Sequence, residues 1–432
     1  MRIMLGGAGS GCGKTTASLL LMAALKRQGL DVAPYKVGPD YIDPGFHEAI
    51  CSRPSYNLDT WLMREETIFR LLDKPSDMAV IEGVMGYYDG LDAQTLRCSS
   101  WELAQKTQTP VILVADASGG AASVAATVKG FQTLRPNSGI AGVLVNQASG
   151  EGHYALIREA IEYYTGLPCV GYLAKDQKLV FPSRHLGLVP ARETPGLTER
   201  LDPAADEAAQ TLDLPRVLSL AAQAPALPQA TAPVLPDFSG YRLGVALDEA
   251  FHFYYQDNLD ALRACGMELA FFSPLRDGGL PPGLDGLYIG GGYPEVFAKQ
   301  LTANIPMLES IRNALENGLR CYAECGGLMY LSQEIDGQPM VGFLPVRCHM
   351  TNHLQRFGYA TVQDHAGKAF PAHEFHHAVA EPTEQASYAY TVRKASQPHK
   401  AWRCGYTRGR TLAAFAHTYF GDSPELIRRF FA

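Results

Sequence analysis

The chain has 432 residues, which at roughly 150 residues per domain is too long for one ordinary core and implies at least two domains. With 47% hydrophobic and 19% charged residues it is neither disordered nor fibrous. Its 37 basic and 44 acidic side chains leave a net charge of −7, so no protein-wide positive field exists to hold a nucleic-acid backbone and any anion site must be local.

The apolar run nearest the start, Leu19 to Leu25, is far shorter than the roughly 20 residues a membrane-spanning helix needs. A Gly-rich loop follows Leu5 where a signal peptide would carry its apolar segment, so a cytoplasmic location is expected, without membrane contact. Nine cysteines, scattered without a CxxC pair, read as reduced thiols rather than a disulfide or zinc framework.

In chain order, "RIMLGG", "VAPYKVG", "MAVIEG", "PVILVADA", "IAGVLVNQ" and "LPCVGYL" alternate with helical patterns, the signature of βαβ units around a parallel sheet. Between the first strand and the first helix lies "GGAGSGCGKTT". Gly9, Gly11 and Gly13 allow backbone N–H groups to converge on phosphate oxygens, Lys14 can reach the outer phosphates, the Thr15 hydroxyl suits Mg²⁺, and Thr16 extends the cradle. The strict phosphate-loop pattern would place Gly where this chain has Ala8. Downstream, "YKVGPDYIDPGFH" ends a strand with Lys36 and offers Asp40 and Asp43, and "VIEGVMGYYDG" ends another with Glu82 and offers Asp89. Ligands of open parallel sheets sit at the carboxyl edge of the strands, so Thr15, Lys36, Asp40 and Glu82 can meet around one nucleotide. Mg²⁺ needs only a few protein oxygens beside phosphate and water. Asn146, closing "GVLVN", is the candidate for reading the purine.

From 193 to 240 the sequence turns rich in Ala, Pro, Leu and Gln and ends in "LPQATAPVLPDFSG", which is read as an interdomain linker between a domain at 1–192 and another at 241–432. Strand patterns resume with "YRLGVALD", "MELAFFS", "GLYIGGG" and "LRCYAEC". In "LRCYAECGGLMYL" the thiol of Cys325 stands at a sharp strand-to-helix turn, which lifts a nucleophile clear of the sheet. Gly290, Gly291 and Gly292 end a neighbouring strand pattern, and with Gly326 they offer backbone amides for an oxyanion hole. His417 in "LAAFAHTYF" is the expected base. His373, Glu374 and His377 spell HExxH, but zinc binding by that motif needs a helix, whereas "FPAHEFHHAVAEP" is β-like and lies between prolines.

These blocks carry a family resemblance across both halves. "SGCGKTT", "KVGPDYIDP", "PSYNLDTW" and "EGVMGYYDG" resemble the dethiobiotin-synthetase-like ATP domain of cobyrinic acid a,c-diamide synthases, and "GGGYPE", "AECGGLMYL", "HEFHH" and "FAHTYF" resemble their class I glutamine amidotransferase domain. The resemblance implies an α/β protein that uses ATP, Mg²⁺ and glutamine to amidate a corrinoid polycarboxylate in cobalamin biosynthesis, through an acyl phosphate. It further implies that Lys14 and Lys36 hold phosphates, that Thr15, Asp40 and Glu82 bind Mg²⁺, that Asp40, Tyr41 and Asp89 face the carboxylate substrate, and that Cys325 and His417 form the glutaminase pair. A homodimer is compatible with it. Class I amidotransferases usually carry Glu two residues after the histidine, where this chain has Tyr419, so no third triad member is assigned. Rival readings are the same chemistry on hydrogenobyrinic acid or nickel sirohydrochlorin, and a nucleotide-driven switch without ligase activity.

Overall fold

The computed structural model describes residues 1–175, 183–184, 187–194 and 196–432, which divide into two compact units, Met1–Ala232 and Pro233–Ala432. In the first, strands β1 (Arg2–Gly7), β2 (Val32–Val37), β3 (Tyr56–Leu58), β4 (Met78–Glu82), β5 (Val111–Asp116), β6 (Ile140–Ala148) and β7 (Cys169–Ala174) form one sheet in the order β3-β2-β4-β1-β5-β6-β7. Every pairing is parallel. The strands are apolar on both faces because helices cover both sides. The order reverses around β1, and a doubly wound sheet opens its ligand crevice at such a reversal. Helix α1 (Lys14–Arg27) leaves the end of β1, and α2 (Asp43–Cys51) follows β2, so both start at the carboxyl edge of the sheet.

The expected linker is shorter than its composition implied. Helices α3 (Leu197–Thr211) and α4 (Leu214–Ala221) occupy its first half, and Ala204, Ala205, Ala208, Leu214, Val217 and Leu220 join the core that contains Leu20 and Ala24 of α1. Pro215 is tolerated in the first turn of α4, where no N–H is needed, and the Asp213 side chain caps that turn through Arg216 N–H at 3.0 Å. Among the described residues of that segment, the long irregular stretch is 225–238.

The second unit is built on one mixed sheet. Strands β8 (Arg242–Ala246), β9 (Glu268–Phe272), β10 (Gly286–Ile289), β11 (Arg320–Glu324), β12 (Arg356–Asp364), β13 (Ala369–His376), β14 (Tyr388–Lys394), β15 (Gln397–Arg408), β16 (Thr411–Ala414) and β17 (His417–Thr418) run in the order β9-β8-β10-β11-β16-β15-β14-β12-β13-β17. From β9 to β16 the pairs are parallel, and from β16 onward they are antiparallel. The HExxH segment lies on strand β13, so its histidines do not share a helix face. No described helix is long and apolar enough to cross a membrane.

Candidate functional site

In the first unit the phosphate loop bridges β1 and α1, with Gly11 and Gly13 at φ 77° and 91°. At Gly13 a side chain is barred twice over, since a Cβ would also fall 2.0 Å from Nδ2 of Asn146. Asn146 is buried at the end of β6 and donates Nδ2–H to the Cys12 carbonyl at 3.0 Å. Its observed partner is therefore the backbone of the loop. Lys14 folds back to donate to the Gly9 carbonyl at 2.7 Å, and burial, with the charge of Lys36 adding to it, lowers its pKa. Thr16 lies in the first turn of α1.

Beside the loop stands a buried polar cluster assembled from three strand ends. Lys36, from β2, donates to Asp43 Oδ2 at 2.6 Å, to Glu82 Oε1 at 2.8 Å and to the Gly83 carbonyl at 3.2 Å. Thr15 donates to Glu82 Oε1 at 2.6 Å and lies 3.5 Å from Asp43 Oδ2. His47 Nε2 meets the other oxygen of Glu82 at 2.8 Å while its Nδ1 meets the Ser55 hydroxyl at 3.1 Å. Burial alone would raise Glu82, but Lys36 and His47 hold its carboxyl well below the usual range. Asp43 goes the other way: burial and the charges of Asp40 and Glu82 outweigh Lys36 and push it well up. Lys36 itself is raised, because the charges of Asp43, Glu82 and Asp40 exceed the effect of burial.

Three of the expected residues, Thr15, Lys36 and Glu82, are thus brought together. Asp40 stands further out. Its Oδ1 accepts the Ile42 and Asp43 N–H groups at 2.8 and 3.0 Å, and Oδ2 is 4.0 Å from Lys36. The innermost carboxylate of that loop is Asp43, which the sequence offered but the expected metal set omitted. Its signal was its place at the start of α2, directly before Pro44, where the helix holds the side chain at the sheet edge. His47, one turn on, carried no signal of its own. Tyr41 is partly exposed in the same loop. Asp89 is exposed, and its Oδ2 closes its own turn by accepting Gly86 N–H at 2.7 Å.

The donor set around Thr15 is one of hard oxygens, and the disfavoured charge on Asp43 is what an added cation would relieve, so the residues fit Mg²⁺. Among the described residues no group of three His, Cys, Asp or Glu side chains converges tightly enough to hold a metal by itself.

In the second unit Cys325 sits between β11 and helix α5 (Gly326–Leu331) at φ 48° and ψ −103°, a strained turn for a non-glycine residue. Its N–H donates to the Ala414 carbonyl at 2.7 Å, which ties the turn to β16. The neighbouring strand β10 leads into Gly290–Gly292. Gly326 packs so closely that a Cβ there would lie 3.1 Å from the Gly292 nitrogen, so this backbone adjoins the nucleophile turn. The Gly290 N–H is committed to the Tyr254 hydroxyl at 2.8 Å, and Gly291 and Gly292 pair antiparallel with Phe253 and Phe251, so the backbone of the expected oxyanion donors is held in a short two-stranded ladder beside Gly326. His417 is buried on β17 beside the Cys325 thiol. Burial works to lower the imidazole, but the nearby Cys325 and Glu324 raise it to about 10. The His373 ring stacks on it at 5.0 Å and is pushed well below its ordinary value by burial and by the charge of His417. A cysteine sulfur whose proton has passed to its imidazole partner can attack an amide carbonyl, and adjoining backbone amides can stabilise the resulting oxyanion.

Both units match known families. Residues 3–189 match the CobQ/CobB/MinD/ParA nucleotide binding domain, and residues 242–425 match the CobB/CobQ-like glutamine amidotransferase domain. Over 100% of its length the chain is 43% identical to a Listeria innocua protein named cobyrinate a,c-diamide synthase, covering 98% of that protein. The chain belongs to the cobyrinate a,c-diamide synthase family. Proteins of the same name from Dehalococcoides mccartyi and Salmonella typhimurium are 41% and 39% identical, each over 99% of this chain and 97% of the relative. As a cobyrinate a,c-diamide synthase family member it is a glutamine-dependent amidotransferase of the carbon–nitrogen ligase class, with a nucleotide-binding and an amidotransferase domain in one chain.

Proposed function

We propose that the chain amidates the a and c carboxylates of cobyrinic acid in cobalamin biosynthesis, with ATP as activator and glutamine as nitrogen donor. The single observation that carries this reading is the coexistence in one chain of a buried Lys36–Asp43–Glu82–Thr15 cluster beside a phosphate loop and a Cys325–His417 pair at a nucleophile turn. The relatives' name supplies the acceptor.

A carboxylate is a poor electrophile. Transfer of the γ-phosphoryl group of ATP to one of its oxygens forms an acyl phosphate and releases ADP, and ammonia then displaces inorganic phosphate to give the amide. Lys14 and Lys36 hold phosphate oxygens and offset their charge. Thr15, Asp43 and Glu82, with Asp40 at the rim, would hold Mg²⁺, whose chemistry there is to neutralise phosphate charge and fix its geometry. Asp40, Tyr41 and Asp89 lie on the two loops assigned to the acceptor. At the other centre the Cys325 thiolate attacks the glutamine side-chain carbonyl, His417 gives its proton to the departing ammonia, and water hydrolyses the thioester to glutamate. The backbone at Gly291, Gly292 and Gly326 faces the oxyanion of each step.

The test uses cobyrinic acid labelled with ¹⁸O in its carboxylates, together with Mg-ATP and glutamine. One labelled oxygen should appear in inorganic phosphate for each amide formed, and label retained in water or ADP would refute the acyl phosphate. Hydrogenobyrinic acid and nickel sirohydrochlorin run in parallel fix the macrocycle by mass spectrometry. ATP hydrolysis without any amide would favour a switch.

A further inference from the structure

The place where a triad acid is usually found holds Tyr419, whose hydroxyl bonds Asp257 and is therefore engaged away from the histidine. A carboxylate nevertheless lies against His417. Glu324, the last residue of β11 and the direct neighbour of Cys325, places Oε2 3.6 Å from Nδ1 of His417. Both residues are about 2% exposed or less. Because Nδ1 faces Glu324, the other ring nitrogen, Nε2, is the one left for the thiol.

The Glu324 carboxyl group is fixed from several sides. Oε1 accepts the Tyr322 hydroxyl at 2.7 Å, the Thr418 N–H at 3.0 Å and the Thr418 hydroxyl at 3.2 Å, and Oε2 accepts the Tyr288 hydroxyl at 3.0 Å. Burial, followed by the charge of Glu324, pushes both phenols well up, so they stay proton donors. Strand alternation explains the geometry. Successive side chains point to opposite faces, but the turn at Cys325 breaks the alternation and lets residues 324 and 325 both address the histidine on β17. We propose that Glu324 is the third member of the glutaminase triad, a positioning residue that holds His417 in orientation and steadies its protonated form from the nucleophile's own strand. The proposal rests on the assignment of Cys325 and His417 as the glutaminase pair.

No proton need pass to Glu324. His417 takes the thiol proton on Nε2 and returns it to ammonia, while Nδ1–H stays directed at Oε2. At 3.6 Å the pair is longer than a hydrogen bond and within ion-pair reach, and catalytic contacts of this kind tighten when substrate binds. The other titratable groups that face the imidazole are Cys325 and the stacked His373, whose Nδ1 bonds the Tyr255 hydroxyl at 3.2 Å.

The full-length Glu324→Gln variant tests this, with thermal melting as the check on folding. Its kcat/KM for glutamine should fall on the order of 10²- to 10⁴-fold, while ammonia-driven amidation is kept. The alkaline limb of its pH profile should move to lower pH, because removing the anion lets the imidazolium lose its proton sooner. Glu324→Asp, which keeps the charge, should hold the limb near its wild-type place. A wild-type kcat/KM with an unmoved limb in Glu324→Gln overturns the proposal. Should that variant fail to fold, Tyr288→Phe decides: loss of the phenol from Oε2 concentrates charge facing His417 and should move the limb to higher pH, and an unmoved limb is the negative result. A Cys325→Ala control separates the two levels, since continued glutamine use there would refute the nucleophile itself.

Discussion

Asp43 and Lys36 illustrate opposite relations between stability and activity at single positions. Asp43 is a buried carboxyl crowded by Asp40 and Glu82, so its charge is disfavoured in the folded chain. Asp43→Asn should therefore melt no lower than the parent, while the apparent affinity for Mg²⁺ in ATP-dependent amidation falls about 10–100-fold. Magnesium titration of the rate and a melting curve check the two halves of that expectation. Lys36→Met should do the reverse, leaving two buried carboxylates without their ammonium at a cost of about 3–5 kcal/mol. A denaturant titration that found Lys36→Met as stable as the parent would contradict the role given to that cluster. In the second unit, Cys325→Ala should abolish glutamine-dependent amidation and leave ammonia-dependent amidation at high pH intact, read by product mass.

At the scale of elements, β13 and β17 are paired so that His373 and His417 stand opposite each other, with pKa values driven in opposite directions. His417, raised from 6.5 to about 10, adds stability that is full below the unfolded value and is lost as pH climbs toward 10. His373, lowered well below 6.5, stays neutral when folded, so stability falls as acid protonates the unfolded chain. The melting point of the second unit should peak near pH 6.5. His373→Gln should flatten the acidic side and His417→Gln the alkaline side, each by up to about 1.4 kcal/mol per pH unit. A melting point flat across both ranges in the parent would contradict the pairing.

The parallel strands other than the three-residue β3 were legible because each is a short apolar run closed by a polar or glycine residue, and those closing residues carry the chemistry: Lys36 after "APY", Glu82 after "AVI", Cys325 after "YAE". In the antiparallel part only β13, with its β-like "FPAHEFHH", is legible, whereas β12, β14 and β15 are not. Segments such as "RFGYATVQD" and "QPHKAWRCGYTR" are half-buried and alternate polar with apolar, a weaker signal than a fully buried run. Glu324 was hidden for a different reason. Its neighbour Cys325 draws the eye, and only the backbone bend at the turn shows that adjacent residues can serve one imidazole.

For the whole molecule, the main apolar cores of the two units, one around Leu20, Val80 and Leu144 and one around Val245, Ile289 and Tyr322, predict two calorimetric transitions rather than one. Mg-ATP should raise one transition and a glutamine analogue bound at Cys325 the other. A single transition that both ligands raise equally would show that the cores melt together. The α3–α4 pair belongs to the first of these cores, and Arg27 at the end of α1 reaches back to Asp202 and Asp206 at 2.9 Å each. A truncated protein ending at residue 192, where proline content first invites the scissors, would strip Ala204, Ala205, Ala208, Leu214 and Val217 from the core shared with the very helix that starts at the phosphate loop. Such a fragment should come out of cells insoluble, whereas one carried on to Ala232 keeps its own coat.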